Sequence, residues 1–328
     1  MGFYEHTRID GADVAELSAV TYTTVLLDTG STVIINGTQL AATGQPTTVD
    51  IRVNSVNNPT GNVYLIGTPN EYDETPIIPP AAFDVYSFRF NGTAAPNAII
   101  VTGDEGIFDI TTNITISAWV KPVSVNPAQD GGVVDKILGS GGSTTGWALT
   151  QENVSGGVWR FRIGAGGTAS GNKTLNVNVV GAGTWQHLCA TFDSATGDML
   201  LYVDSILQGT LSLGVGATIL TNNTNLLIGN QTGTIGSPGI KEFDGNLDEI
   251  SIFDVTFNQT EIDEIYNTGT PTDLSTHSRS ADGVAWYRCG ENATWNGADW
   301  EMPNSFNPGT GDSTSAGLVE GDRVVDTP

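Results

Sequence analysis

Apolar residues along this chain recur in short alternating runs bounded by Gly, Asn, Asp and Pro, the period-two pattern of half-buried strands. In Thr115-Ile-Ser-Ala-Trp-Val, Ile116, Ala118 and Val120 fall on one face of the predicted strand and Trp119 on the other. Between Asp84 and Gly269 such phrases follow one another: Tyr86 to Gly92, Ile114 to Pro122, Gly146 to Leu149, Trp185 to Asp193, Leu200 to Asp204, Leu226 to Gly229 and Phe243 to Asp254. Upstream, Thr24 to Leu27, Thr32 to Ile35, Val49 to Val53 and Gly61 to Gly67 predict a small β-sandwich or barrel over residues 1–70. Asn36-Gly37 is the dipeptide of a tight hairpin, because both central residues of that turn take positive φ. Residues 71–82, with three prolines among acidic residues, predict an extended linker. Helical spacing is found at Thr260 to Asn267, with Thr260 as the expected cap and Ile262, Ile265 and Tyr266 on one face. Beyond Gly269, residues 270–328 form a Trp-rich, turn-rich extension, expected to be a strand plus loops packing on the sandwich or on a neighbour.

Composition supports an all-β chain, since 41 of 328 residues are Gly and only 15% are charged. The net charge of -24 opposes nucleic acid and anionic membranes as partners. Such acidity suits a solvated surface or divalent cations. No apolar run reaches membrane-spanning length, and the opening Met1-Gly-Phe-Tyr-Glu-His lacks the basic and apolar regions of a secretory signal. Cys189 and Cys289, the two cysteines, are expected as separate reduced thiols.

Catalytic patterns are weak. Glu261, Asp263 and Glu264 are close together, but a strand needs even spacing to aim carboxylates into one cleft, and this segment has helical spacing. Neither His6, His187 nor His277 has a Ser or Cys partner in a nucleophile motif. Gly139-Ser-Gly-Gly-Ser and Gly164-Ala-Gly-Gly-Thr lack the lysine and the strand-to-helix context of a phosphate loop and are expected to be hairpin loops.

The strand series, with Trp185-Gln-His-Leu and Phe243-Asp-Gly-Asn-Leu-Asp-Glu-Ile-Ser-Ile-Phe-Asp254, resembles the laminin G-like, concanavalin A-like lectin/glucanase family. The resemblance implies an antiparallel jelly-roll β-sandwich over residues 83–269, following the N-terminal β-module. It also implies a calcium site, for which Asn91, Asp244, Asp248 and Glu249 are the candidates, with turn-anchoring as the competing role of Asp248 and Glu249. Trp119 and Trp147 are candidate glycan platforms, the alternative for Trp119 being cover by a loop. His187 matches a strand position of the family and is expected to be structural. A lectin-like sandwich without a recognisable export signal fits a non-enzymatic virion surface protein, assembled in the host cytoplasm as a capsid decoration or as part of a head or tail fibre. Residues 1–70 are then an attachment or oligomerisation module, or a plain structural cap. Expected partners are a major capsid or tail protein, a host-surface glycan and further copies of the chain. The alternatives are an extracellular, secreted bacterial glycan-binding or adhesion protein and, less favoured, a glycoside hydrolase.

Overall fold

The structure is a computed structural model, which describes residues 84–93, 97–102, 106–154, 156–234, 237–238 and 241–328, and the backbone of six strands within residues 1–83. The backbone separates into two compact units, Met1–Pro79 and Pro80–Pro328.

In the first unit, Asp13–Leu17, Val63–Gly67, Thr32–Ile35 and Thr38–Ala41 form a four-stranded antiparallel sheet in that order, and Tyr22–Leu27 pairs with Thr47–Arg52. Ile35 faces Thr38 across the ladder, so two residues connect these strands. Asn36-Gly37 and the Pro-rich segment 71–82 lie outside the described residues. Asp13–Leu17 and Thr38–Ala41 are strands that the apolar pattern did not announce.

The second unit is a sandwich of two antiparallel sheets. The first runs in the order Gly171–Asn178, Val158–Gly167, Trp147–Glu152, Gly131–Asp135, Leu226–Ile228, Ala98–Val101, Ser313–Ala316, Trp300–Met302 and Thr294–Trp295, with Ala217–Ile219 pairing onto Val158–Gly167. The second runs in the order Ile206–Ser212, Asp198–Val203, Gln186–Asp193, Asn113–Pro122, Asp244–Phe253, Ser87–Asn91 and Arg323–Val324, with Gly283–Tyr287 pairing onto Asp244–Phe253. Between the sheets lies one core, to which the inward faces contribute Ile114, Ile116, Ala118 and Val120 from one side and Trp147, Leu149, Trp159, Phe161 and Ile163 from the other.

A smaller apolar cluster covers the outer face of the second sheet, where Ile262 and Ile265 of the helix Gln259–Tyr266 pack with Cys189, Tyr202, Phe253 and Trp286. Asn258, not Thr260, caps this helix. Its side chain accepts from the Thr260 and Glu261 backbone N–H groups, while the Glu261 carboxylate accepts from the Asn258 N–H, a reciprocal capping box.

Alternation fails within the strand Asp244–Phe253. Leu247 and Ile250 both lie in the core although they are three apart, which an unbroken strand forbids. The register against Asn113–Pro122 shifts between Asp248 and Ser251, and Glu249 takes a left-handed φ of 45°. One extra residue is thereby absorbed as a β-bulge.

Two expectations are corrected. Gly164-Ala-Gly-Gly is the end of the strand Val158–Gly167, paired with Asn172 and Gly171 on one side and with Ala217–Ile219 on the other, and is not a loop. The C-terminal extension supplies five short strands to both sheets: Ser313–Ala316 pairs with Ala98–Val101, and Arg323–Val324 with Ser87–Asn91. The Arg323 guanidinium lies 4.5 Å from the Tyr86 ring centre and 4.7 Å from that of Trp300. Among the described residues, no helix is long and apolar enough to cross a membrane.

Candidate functional site

Two polar constellations stand out in the second unit. The first is buried. Asp84 precedes the strand Ser87–Asn91, Asp248 and Glu249 sit at the bulge, and Glu291 follows Gly283–Tyr287 just beyond Cys289, whose φ is 39°. Each of the four carboxylates offers an oxygen, and these oxygens lie within 4.8 Å of one another. Glu291 Oε1 accepts from the Val85 and Tyr86 N–H groups at 2.8 and 2.6 Å, and Asp248 Oδ1 accepts from the Glu249 N–H at 2.8 Å. Glu249 accepts from Arg288 Nε at 3.0 Å and from Trp286 Nε1. Both oxygens of Asp84, Oδ2 of Asp248 and Oε2 of Glu291 have no donor. Burial, reinforced by the Glu291 charge, raises the Asp84 carboxyl to about 7. Burial also raises Glu249 to about 8 in spite of Arg288, and lifts Asp248 well above the carboxylate range.

Of the residues expected as calcium ligands, the structure brings Asp248 and Glu249 into this group and leaves Asn91 and Asp244 out of it. Asp244 faces Asn91 across the ladder and forms an ion pair with Arg89 at 3.0 Å, while the Asn91 side of the ladder is held by its N–H donating to Glu242. Asp84 and Glu291 were missed, because they are remote in sequence from the bulge and from each other. The only local signal is the pair of adjacent acids, Asp248 and Glu249, between Leu247 and Ile250.

The second constellation is the outer face of the first sheet. Because Trp159, Phe161 and Ile163 point into the core, Arg160 and Arg162 point outward. Across the ladders they are flanked by Thr150 and Ala148 on one side and by Asn176 and Thr174 on the other. Arg160 Nε donates to Asn176 Oδ1 at 2.8 Å and its Nη1 meets Glu152 at 2.8 Å; Arg162 Nε donates to Asn172 Oδ1 at 2.7 Å. Asp135, which pairs with Ala148 as Ala148 pairs with Arg162, is buried, and burial raises it to about 6. The result is a row of planar polar groups held in fixed orientation, with Asn172 and Asn176 exposed.

Neither tryptophan expected as a sugar platform is on that face. Trp147 is 1% exposed in the core, with Nε1 donating to the Phe108 carbonyl at 3.4 Å. Trp119 is 4% exposed, its ring centre 5.9 Å from that of Tyr266 at the end of the helix and 5.0 Å from that of His187. Trp119 does point away from the core, but the helix covers it, so no ring face is open to a ligand.

The acidic residues of the helix are engaged structurally. Glu261 caps it and binds Arg279 at 2.7 Å, Asp263 accepts from Gln259 and Ser205, and Glu264 accepts from Ser278. His187 is buried, with Nε2 2.7 Å from Ser117 Oγ, and burial pulls its pKa down to about 3, which leaves the ring neutral at physiological pH. Cys189 and Cys289 are separate, buried free thiols.

The family model described as the concanavalin A-like lectin/glucanases superfamily matches residues 91–263. The adhesion G-protein coupled receptor V1 of Danio rerio is 25% identical over 210 residues, 60% of this chain; the match spans 3% of the receptor's length. Among solved structures, a putative carbohydrate binding protein from Bacteroides ovatus ATCC 8483 superposes with a TM-score of 0.50 at 12% identity, over 97% of this chain and 95% of that one. The native heptameric SAP-like pentraxin from Limulus polyphemus gives 0.43 at 15% identity, over 67% and 92%. At these identities the structural likeness is one of fold.

Proposed function

Because the chain belongs to the concanavalin A-like lectin/glucanases superfamily, we propose that the unit Pro80–Pro328 is a non-catalytic carbohydrate-binding module whose ligand lies on the outer face of the first sheet. The observation that carries this reading is the ordered row Glu152, Arg160, Asn176 with Arg162 and Asn172 beside it. Sugar hydroxyls both donate and accept, and a rigid array of guanidinium, amide and carboxylate groups offers both roles with little rotamer entropy left to lose. The net charge of -24 favours a neutral glycan over a polyanionic one. The structural roles of Glu261, Asp263 and Glu264 support binding without hydrolysis.

In the same reading the module is displayed on a virion surface, and the unit Met1–Pro79 docks it on a capsid or tail protein. A composition rich in Gly, Asn and Thr and poor in Lys, together with a separate N-terminal unit, supports this; a secreted bacterial adhesion protein is the alternative.

A glycan array probed with the full chain tests the binding reading. Neutral glycans should be retained, and Asn172→Ala combined with Asn176→Ala, both at exposed positions, should lose them while melting at the wild-type temperature. An array that stays blank for the wild type overturns the glycan reading. Docking is tested by sedimenting particles with the full chain and with residues 80–328: only the full chain should co-sediment.

A further inference from the structure

On the outer face of the second sheet, one row of side chains crosses three neighbouring strands and ends at the start of a fourth. Phe88, Phe90, Val120 and Leu247 point into the core, so Arg89, Lys121 and Asn246 point outward. Asn246 faces Arg89 in one ladder and Lys121 in the other. Gln186 pairs with Val120, which sets Trp185 beside Lys121, its ring centre 6.0 Å from Lys121 Nζ. Cation, amide, cation and indole therefore stand side by side, and two of the chain's 12 basic residues share one row although the net charge is -24. A carboxylate lies on that row. Asp326 Oδ1 accepts from Lys121 Nζ at 2.8 Å and from Trp185 Nε1 at 3.2 Å. Its Oδ2 accepts from Lys121 Nζ at 2.7 Å and from Asn246 Nδ2 at 3.1 Å, and the Asp326 carbonyl accepts from Ser87 Oγ at 2.5 Å. Three donor groups aimed at one carboxylate, with a hydroxyl aimed at an oxygen close by, are the chemistry of anion recognition, here met by the chain's own side chain.

Asp326 is held lightly. Arg323–Val324 pairs with Ser87–Asn91 through two residues, and beyond Val324 the hydrogen bonds of the segment among the described residues all belong to Asp326. Val325 is 76% exposed, and the side chains of Lys121 and Asp326 are 27% and 35% exposed. Ion pairs so open to water contribute little net stability, which lets a carboxylate from solution compete. We propose that Arg89, Asn246, Lys121 and Trp185, with Ser87, form a second ligand site, which takes a carboxylate-bearing sugar of the uronic acid type and which Asp326 occupies as a pseudo-ligand. The sugar carboxylate replaces that of Asp326 on Lys121, Trp185 and Asn246. Ser87 Oγ, released from the Asp326 carbonyl, donates to a ring or hydroxyl oxygen beside it. Only the residues beyond Val324 have to move. An acidic peptide would need the ladder edge of Ser87–Asn91 as well, which Arg323 and Val324 hold, with the Arg323 guanidinium set between the rings of Tyr86 and Trp300. A short tether keeps its ligand at roughly millimolar effective concentration, so free sugar binds the wild type weakly and binds more tightly once the pseudo-ligand is removed. The site is on the sheet opposite the face assigned to neutral glycans and stands independently of it.

The test titrates the full chain with sodium glucuronate, and with glucose as the neutral control, by isothermal calorimetry and by the Trp185 indole N–H resonance, identified through its loss in Trp185→Phe. Glucuronate should shift that resonance in the wild type with a midpoint in the millimolar range, and glucose should leave it in place. Asp326→Ala should bind glucuronate roughly tenfold more tightly, as expected of a site that the pseudo-ligand leaves open about a tenth of the time, and adding Lys121→Gln should abolish the binding. If Asp326 is a structural clamp alone, Asp326→Ala melts lower and takes up no glucuronate, which overturns the proposal. Equal affinities in wild type and variant overturn the pseudo-ligand role. A wild type whose Trp185 resonance is unmoved by glucuronate overturns the site, whether or not the variant folds. So does binding of a Val325-Asp326-Thr327 peptide in place of glucuronate, which would make it a peptide site. A blank neutral-glycan array together with glucuronate binding would remove the first-sheet reading and leave this site standing.

Discussion

Asp135 shows how one side chain sets a pH dependence. Its Oδ1 alone accepts from Ile137 N–H, Thr232 N–H and Thr232 Oγ1, at 3.0, 3.2 and 2.8 Å, and burial raises its pKa from 3.8 to about 6. A folded-state pKa above the unfolded one means that the folded form holds the proton more tightly. The stability from this group is therefore full below about 3.8 and is lost as pH rises to about 6. Asn keeps the accepting oxygen and carries no charge, so Asp135→Asn should gain on the wild type between pH 4 and 7, by on the order of 2 kcal/mol. Urea midpoints at the two pH values check this, and parallel profiles for the two proteins would refute it. His187 works in the opposite direction, its stability present above 6.5 and lost as pH falls toward 3, so the variant should also unfold more steeply on acidification. Trp119 makes a second case. Packed between His187 and Tyr266, it should cost about 3–5 kcal/mol when changed to Ala, without altering glycan affinity per folded molecule. A loss of binding at unchanged melting temperature would restore the platform role. That Trp119 leaves the core face was legible in the alternation of its strand. That the helix would cover it was not, because nothing in the local pattern says where the helix Gln259–Tyr266 docks.

At the level of elements, the cap and the extension carry the informative experiments. Asn258→Ala removes the side-chain acceptor of two helix N–H groups and should lower stability by about 1 kcal/mol, read from the urea midpoint. Thr260→Ala should cost less, since Thr260 contributes no cap bond. The C-terminal strands close the sandwich along one side. Cutting the chain after Gly269 strips Ala98–Val101 of its partner Ser313–Ala316 and Ser87–Asn91 of Arg323–Val324, and exposes apolar edges. Such a truncation should aggregate on gel filtration or become protease-sensitive, whereas a stable monomer with the native melting temperature would show the extension to be accessory. These strands escaped sequence reading because each is two to five residues long, too short for periodicity to register. The bulge at Glu249 escaped for a related reason. The Leu247 and Ile250 spacing breaks alternation, and only the register against Asn113–Pro122 shows how the extra residue is absorbed.

For the whole molecule, the division at Pro79 and Pro80 implies that residues 80–328 fold alone, which equal melting of that fragment and the full chain would check. The sequence by itself determined the all-β class, the strand series from Tyr86 to Asp254, the helix Gln259–Tyr266 and the lectin-like family, because alternation, turn residues and capping are local properties of the chain. It also placed Asp248 and Glu249 among the acids worth watching. Tertiary structure alone decided which acids meet. Asp84 and Glu291 join the bulge because the segment leading into the first strand and the C-terminal extension both border the strand Asp244–Phe253, while Asn91 and Asp244 stay with Arg89 and Glu242. It likewise decided that the exposed polar face carries Arg160, Arg162, Asn172 and Asn176 rather than Trp119 and Trp147. Sheet order, bulge register and helix docking are long-range pairings, set by how whole faces bury against each other, and no window of neighbouring residues contains them.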